Sequence, residues 1–430
     1  MIATKYTDFL LENRIKMKID LPEDIYLIKN EFSKHNKKLY VVGGFVRDWI
    51  EAVSKFNKEN GTEFKRPISH DIDLVTDALP EESKKILKGK FRVSEEQGKN
   101  FGVLRIYTES EPLGYELATF RLDISKGRDT KGNDKKVDFG SHVTIEDDVK
   151  RRDLTQNALF YDIDKEEIVD LVDGVYHIKQ NIISAVGDPV QRFNEDRLRI
   201  LRSIRFASRT LANIDKKTSD AIMNDRRLRN ISDIDDVSQE RIFEEFKKTV
   251  DWCRDHGKTD SLMFYLKLLK KYHLFEEMFP DVKINIEGID TFDLAIIFAL
   301  LFRNNIPDRS LESKLAEFKI SNSTKEPKKL LDKTIFLIQL RNNIENIEKI
   351  PELNKKRKQI GIDYITIKKF FDIEYKSSNQ RKFVNCFLEY DPKISGKDLI
   401  AYGIKGVEIG NEIRRREIED FQNLLDKYKK

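Results

Sequence analysis

The stretch VVGGFVRD, Val41–Asp48, decides how the first half of the chain is read. A β-branched run enters a glycine pair and leaves into DWIEAV, which predicts a strand, a tight turn and a helix start. Glycine lets the backbone approach a ligand closely, and amides at the following helix start can cradle phosphate, with Arg47 adding charge. A glycine pair after a strand is more often just a tight turn, so the next motif has to decide. In SHDIDLVTDALP, Ser69–Pro80, two carboxylates stand one residue apart in an apolar run. On an extended backbone residues i and i+2 share a side, so Asp71 and Asp73 would face one point, which suits a hard cation such as Mg2+, although an isolated pair reads equally as a solvated strand end or turn.

A cation site beside a phosphate cradle suggests a nucleoside triphosphate, and two-metal transfer chemistry needs a third carboxylate. GYELATFRLD offers Glu116 and, beyond it, Asp123. Glu116 is preferred, because a charge in mid-strand is unusual unless that face is the site. In DDVKRRDLTQNALF the group Arg151, Arg152 and Asp153 could grip a triphosphate and a ribose hydroxyl, or form a surface ion pair. NEDRLRILRSIRFA reads as one helix with Asp196, Arg199, Arg202 and Arg205 at steps of three beside an apolar stripe. Each step of three turns the direction by about 60°, so the four cannot aim at one point. Asp196 and Arg199 form the natural pair, while Arg202 and Arg205 face phosphates or the protein itself. An Asp beside an Arg offers an acceptor and a donor. Cytosine and adenine both present an amino donor next to a ring-nitrogen acceptor, whereas uracil and guanine present a carbonyl next to an N–H. The pair could therefore accept C and A alike, although an ion pair within the helix explains the same spacing.

Over Leu39–Asp173 strand-like runs alternate with helical ones; after Asp188 apolar residues recur at three and four residue steps to the end. This predicts an α/β head followed by an all-helical remainder. The 430 residues, 39% hydrophobic, suffice for two to four compact units. Lys and Arg (79) nearly cancel Asp and Glu (75), so the placement of charge matters more than the net +4. Basic clusters fall late, at Lys355–Lys358, Arg414–Arg416 and the final KYKK, where each alone reads as a solvated helix face. Cys253 and Cys386, without a CxxC, argue against a disulfide scaffold or a cysteine zinc site. No run approaches the roughly 18 apolar residues of a membrane span, and the N-terminus lacks a signal-peptide core, so a cytoplasmic protein is expected.

Taken in order, GGFVRD, DID, YELATFR, RRDLTQNA and EDRLRILRSIRFA resemble the class II nucleotidyltransferases, which comprise tRNA CCA-adding enzymes and bacterial poly(A) polymerases. SQERIFEEF, Ser238–Phe246, resembles the family's neck helix, and SGKDLIAYGIKGVEIG, Ser395–Gly410, its tail segment. The resemblance implies an α/β nucleotidyltransferase head of polymerase beta-like palm type, followed by an all-α neck, body and tail. The expected divisions are an N-terminal extension over 1–30, the head over 31–175, the neck with its base-reading helix over 176–260, the body over 261–330 and a tRNA-binding tail over 331–430. It further implies Mg2+ held by Asp71, Asp73 and Glu116, nucleotide contacts from Gly43, Gly44 and Arg47, ribose and triphosphate contacts from Arg152 and Asp153, base pairing by Asp196 and Arg199, and further nucleotide contacts from Arg202 and Arg205. The partners would be tRNA lacking all or part of CCA, with CTP and ATP. One metal would activate the RNA 3′-hydroxyl for attack on the α-phosphate and the other would stabilise pyrophosphate. His70 reads as a helper or packing residue.

Within the family, KGKFRV superficially resembles the basic motif of poly(A) polymerases, whereas EQGKNFGVLRI resembles the strand entry of CCA-adding enzymes. Asp123–Phe139 looks like the flexible loop that enzymes adding full CCA keep and CC-only relatives lack, so full CCA addition is the reading. The segment joining Arg47 to Asp71 exceeds the family's usual connector by about a dozen residues. DIDLV also fits the first motif of haloacid dehalogenase-type phosphatases, but KRPISH precedes it where a buried apolar strand should run. A non-catalytic RNA-binding relative would not need acids at 71, 73 and 116. The six scattered histidines form no HD-type phosphohydrolase pattern.

Overall fold

The computed structural model describes residues 14–58, 72–95, 103–123, 137–138, 142–225, 237–317, 327–375, 378–392 and 395–428. Asp71, His70, most of the long connector, the strand entry at 96–102 and the loop at 124–136 lie outside these residues. The chain divides between Val237 and Ser238 into two compact units.

Among the described residues, the first unit is built on an eight-stranded sheet. In chain order its elements are β1 (Arg14–Lys16), α1 (Glu23–Ser33), β2 (Leu39–Val42), α2 (Gly44–Lys58), β3 (Asp73–Thr76), α3 (Pro80–Leu87), β4 (Arg92–Glu95), β5 (Leu104–Tyr107) and β6 (Tyr115–Thr119). The ribbon strands β7 (Leu122–Asp123) and β8 (Val137–Asp138) follow, then α4 (Ile145–Lys150), β9 (Phe160–Asp162) and β10 (Glu167–Val169). The sheet order is β1-β10-β9-β2-β3-β6-β5-β4, with β3 and β6 parallel and the other neighbours antiparallel. Part of the expected N-terminal extension thus supplies the edge strand β1.

Alternation along the strands sorts the two faces. Val41, Leu74, Leu117, Tyr161 and Ile168 join Ile28 and Phe32 of α1, Val46, Trp49 and Ile50 of α2, and Leu87 of α3 in one core. Tyr40, Val42, Val75, Phe160 and Val169 form a second cluster on the opposite face, with Val149 and Ala158. Asp73 lies two residues before Val75 and Glu116 two before Ala118, so both carboxylates leave the sheet on this second face.

The unit closes with α5 (Gly174–Gln180), the short pair β11 (Ile182–Ile183) and β12 (Asn213–Ile214), α6 (Pro189–Glu195), α7 (Leu198–Thr210) and α8 (Lys216–Asn224). The expected single helix over 194–207 is therefore two. Asp196 takes an extended conformation (φ −159°, ψ 105°), and its Oδ1 accepts from Leu198 N at 3.1 Å, an Asp starting a new helix.

Among the described residues, every regular element of the second unit is a helix. Its centre is Leu294–Phe302, LAIIFALLF, buried from Ala295 onward, as expected of a helix surrounded by others. The helix Gln239–Asp255, which carries the SQERIFEEF motif, contributes Phe243 and Phe246, both stacked on Phe298. Among the described residues no helix is long and apolar enough to cross a membrane. The late basic clusters are partly committed within the protein: Arg415 and Arg416 pair with Glu412 at 2.8 and 2.6 Å, holding its carboxyl down to about 2. Arg357 stacks on Tyr364 at 4.2 Å.

Candidate active site

The glycine turn is where the site begins. Gly43 follows β2 with φ +76°, a left-handed conformation that only glycine adopts cheaply. A Cβ placed on it would lie 3.6 Å from Asp73 Oδ2 and 4.0 Å from Arg152 Nη1, so a carboxylate and a guanidinium flank this turn. Gly44 has helical backbone at the start of α2. Gly43→Ala is expected to destabilise the protein by about 1–2 kcal/mol through backbone strain, while Gly44→Ala should be neutral or slightly stabilising. Denaturant midpoints of the two variants check this; equal effects would remove the conformational argument.

Asp73 opens β3 and Glu116 stands in β6, the adjacent parallel strand, where the pairing of Leu74 with Leu117 puts them side by side. Glu116 also accepts from Arg105 Nη2 at 2.6 Å, its cross-strand partner on β5. Asp123, the other candidate, sits in the separate ribbon β7–β8. Asp73 and Glu116 are hard oxygen donors on one face, the chemistry a divalent cation requires. Among the described residues no group of three or more metal-ligating side chains occurs, Asp71 being outside them.

The RRD segment is organised by a residue the sequence reading passed over. Asp148 of α4 is fully buried and accepts from Arg151 Nε and Nη2 at 2.9 and 2.6 Å and from Arg152 Nε at 3.0 Å. Burial opposes its ionisation, but the two guanidinium groups outweigh that and hold its carboxyl below the usual range. So anchored, Arg152 stacks on Phe160 at 4.7 Å and reaches the Gly43 turn. Burial weakens the protonated state of Arg152 against the pull of Asp148. The signal was available as the spacing of Asp148 to Arg151 and Arg152, three and four residues apart on a helix end.

Asp153 faces the other way. Its Oδ2 accepts from Arg202 Nε at 2.7 Å, and its Oδ1 from Leu154 N at 2.8 Å and Asn157 Nδ2 at 3.3 Å. Burial raises its pKa, but Arg202 and these hydrogen bonds win and lower it. Arg47 is buried, donates from Nη1 to Asn157 Oδ1 at 2.7 Å and from Nε and Nη2 to Asp48, and lies over the Phe206 ring at 4.7 Å.

On α7, Arg199 is held by Glu195, whose Oε2 accepts from Nη1 at 2.8 Å, and by the carbonyls of Arg192 and Arg151. Glu195 also pairs with Arg192 at 2.7 Å. The ion pair within the helix is thus made by Glu195 and Arg199, while Asp196 stands in the break before α7. Arg205 is buried over the Phe206 ring at 4.4 Å, and Arg209 lies over the same ring at 5.0 Å. Burial, with Arg205 and Arg47 close by, pushes the Arg209 guanidinium down to about 9. Seven of the expected residues therefore form two groups within this unit: Gly43, Asp73 and Arg152 at the glycine turn, and Arg47, Asp153, Arg202 and Arg205 around Phe206. Glu195, Asn157, Phe206 and Arg209 complete the surroundings and were not expected.

Residues 39–184 match the family described as Poly A polymerase head domain. The CCA-adding enzyme of Ligilactobacillus salivarius is 30% identical over 411 residues, covering 90% of this chain and 89% of that protein. The CCA-adding enzyme of Lactococcus lactis subsp. lactis is 37% identical over 243 residues, covering 55% of this chain; this match spans about half, 54%, of the relative's length. The crystal structure of the Bacillus stearothermophilus CCA-adding enzyme in complex with CTP superimposes with a TM-score of 0.60 at 21% identity, covering 94% of this chain and 96% of that one, a likeness of fold.

Proposed function

Because the chain belongs to the family of CCA-adding enzymes, we propose that it adds C, C and A to the 3′ ends of tRNA from CTP and ATP, choosing bases with its own side chains. The observation that carries the reading is the Asp73 carboxylate and the Arg152 guanidinium flanking the Gly43 turn, in a chain aligned over nine-tenths of its length with a CCA-adding enzyme. The enzymes of this family are metal-dependent nucleotidyltransferases. Mg2+ is the ion proposed here, with Asp71, Asp73 and Glu116 as its ligands; when bound it would supply Lewis-acid activation of the RNA 3′-hydroxyl and of the triphosphate.

The chain's own residues do the remaining work. Arg152, anchored on buried Asp148, offers a fixed cation beside Asp73 for a triphosphate oxygen. Gly43 leaves room for the backbone to approach the nucleotide, and Gly44 opens α2 there. Arg47, Arg202 and Arg205 bring further positive charge, and Asp153 holds Arg202 while offering an acceptor toward a ribose hydroxyl. Asp196 supplies the acceptor and Arg199 the donor that suit the amino edge of C and A and disfavour U and G. Residues 176–260 would serve as the neck, 261–330 as the body and 331–430 as a tRNA-binding tail, in the cytoplasm.

The test is primer extension with Mg2+ on tRNA ending before CCA, tRNA ending in CC and a generic RNA, each with labelled CTP, ATP, UTP or GTP. Addition that stops after C, C and A is the expected result. An open-ended A tail on generic RNA would reassign the chain to poly(A) polymerase, and no incorporation would leave a binding protein.

A further inference from the structure

The side chains around Phe206 close on themselves. Arg47 Nη1 donates to Asn157 Oδ1 at 2.7 Å, Asn157 Nδ2 to Asp153 Oδ1 at 3.3 Å, and Arg202 Nε to Asp153 Oδ2 at 2.7 Å. The guanidinium carbons of Arg202 and Arg47 then lie 5.7 and 4.7 Å from the centre of the Phe206 ring. Five residues from three distant segments, α2, the RRD segment and α7, thus make one unbroken circuit. Two of them are largely shut away from a nucleotide. Phe206 is 7% exposed and apolar, and Asn157, also 7% exposed, spends its amide on Arg47 and Asp153.

We propose that Asn157 and Phe206 are positioning residues that lock Arg47, Asp153 and Arg202 into one rigid unit, so that the grip on ribose and triphosphate is set together with the orientation of the base-selecting helix. The inference rests on the nucleotide-binding reading above and deepens it. Asn157 suits its place because one amide end accepts from a cation while the other donates to a carboxylate. An Asp there would face the Asp153 carboxylate, and a Lys would face Arg47. Phe206 offers an aromatic face where an aliphatic side chain would leave crowded guanidinium groups without their cation–π contact. Because α7 carries both Phe206 and Arg199, a turn of this helix about its axis would move the proposed base-pairing donor as well.

The test is a double-mutant cycle on Asn157→Ala and Phe206→Leu, with Phe206→Tyr as the conservative control. It is read first on the CTP dissociation constant by titration calorimetry, which needs no turnover, and then on kcat/KM for CTP, ATP and UTP. Each single variant is expected to weaken CTP binding about tenfold and to lower kcat/KM by about 10- to 100-fold, the scale of small misplacements in an active site. UTP discrimination should fall in both, and Phe206→Tyr should stay within about twofold of the parent. The double variant should be no worse than the poorer single, since a circuit opened once is already open, whereas unrelated packing losses would multiply. Multiplicative effects, or unchanged binding and discrimination in either single variant, overturn the proposal. Should Phe206→Leu fail to fold, Phe206→Met takes its place in the cycle. A parent protein that binds CTP without extending tRNA would defeat the enzymatic reading alone and leave the cycle readable.

Discussion

Asp73→Asn is expected to lower nucleotide incorporation by about 10³-fold or more while the protein stays folded. The substitution keeps size and shape and removes the charge of a half-buried side chain at the first residue of β3. If that carboxylate holds a cation worth several kcal/mol to the transition state, then at about 1.4 kcal/mol for each tenfold in rate the loss passes three orders of magnitude. Glu116→Gln should cost less, about 10²- to 10³-fold, because part of its carboxylate already answers Arg105 at 2.6 Å. Single-turnover primer extension and thermal melting, run side by side, separate lost chemistry from lost folding. Activity of Asp73→Asn within tenfold of the parent would remove Asp73 from the metal site, and a Glu116→Gln deeper than Asp73→Asn would reverse the ranking of the two acids.

What could be read in advance was whatever lies within a few residues. The β-branched run before Gly43, the two-residue spacing around Asp73 and the charge at Glu116 are local patterns, and the strands Leu39–Val42, Asp73–Thr76 and Tyr115–Thr119 follow them. The break at Asp196 was also local and was missed, because the apolar stripe from Leu198 onward looks continuous with Phe193; an Asp just before an apolar run is equally a helix-start signal. Nothing local could place Arg14–Lys16 at the edge of the sheet, paired with residues more than 150 positions away. Nor could it join Arg47 to Asn157, 110 residues on, or seat Arg47 on the Phe206 ring. Asp148 was hidden for a different reason. Three consecutive acids at the start of α4 suit the positive end of a helix, which gives each an adequate surface explanation. Only burial distinguishes the one that holds two arginines.

That burial makes Asp148 the position where a single atom change should cost most stability. Asp148→Asn keeps the volume, but it replaces a carboxylate that neutralises Arg151 and Arg152 with an amide whose N–H2 would point at guanidinium N–H groups. Arg152 has little solvent to turn to, with a side chain 17% exposed. Removing one partner of a buried charge cluster costs about 3–5 kcal/mol, which for a unit of this size lowers the melting temperature by roughly 10 °C. The pH dependence has a definite sign. Asp148 and Asp153 both titrate lower in the folded protein than an ordinary carboxylate, so their stabilisation is present above the unfolded value of about 3.9 and is lost as pH falls through the lower folded values. The parent should therefore hold its stability down to about pH 4 and then lose it steeply, whereas Asp148→Asn should begin lower and lose less over the same acid range. Denaturation at fixed pH steps from 7 to 3 tests both halves of the claim. Parallel curves for parent and variant would mean that Asp148 is not the ionised anchor of the two arginines. A variant that melts like the parent at pH 7 would mean that Arg151 and Arg152 find other partners, and the fixed cation beside Asp73 would need another explanation.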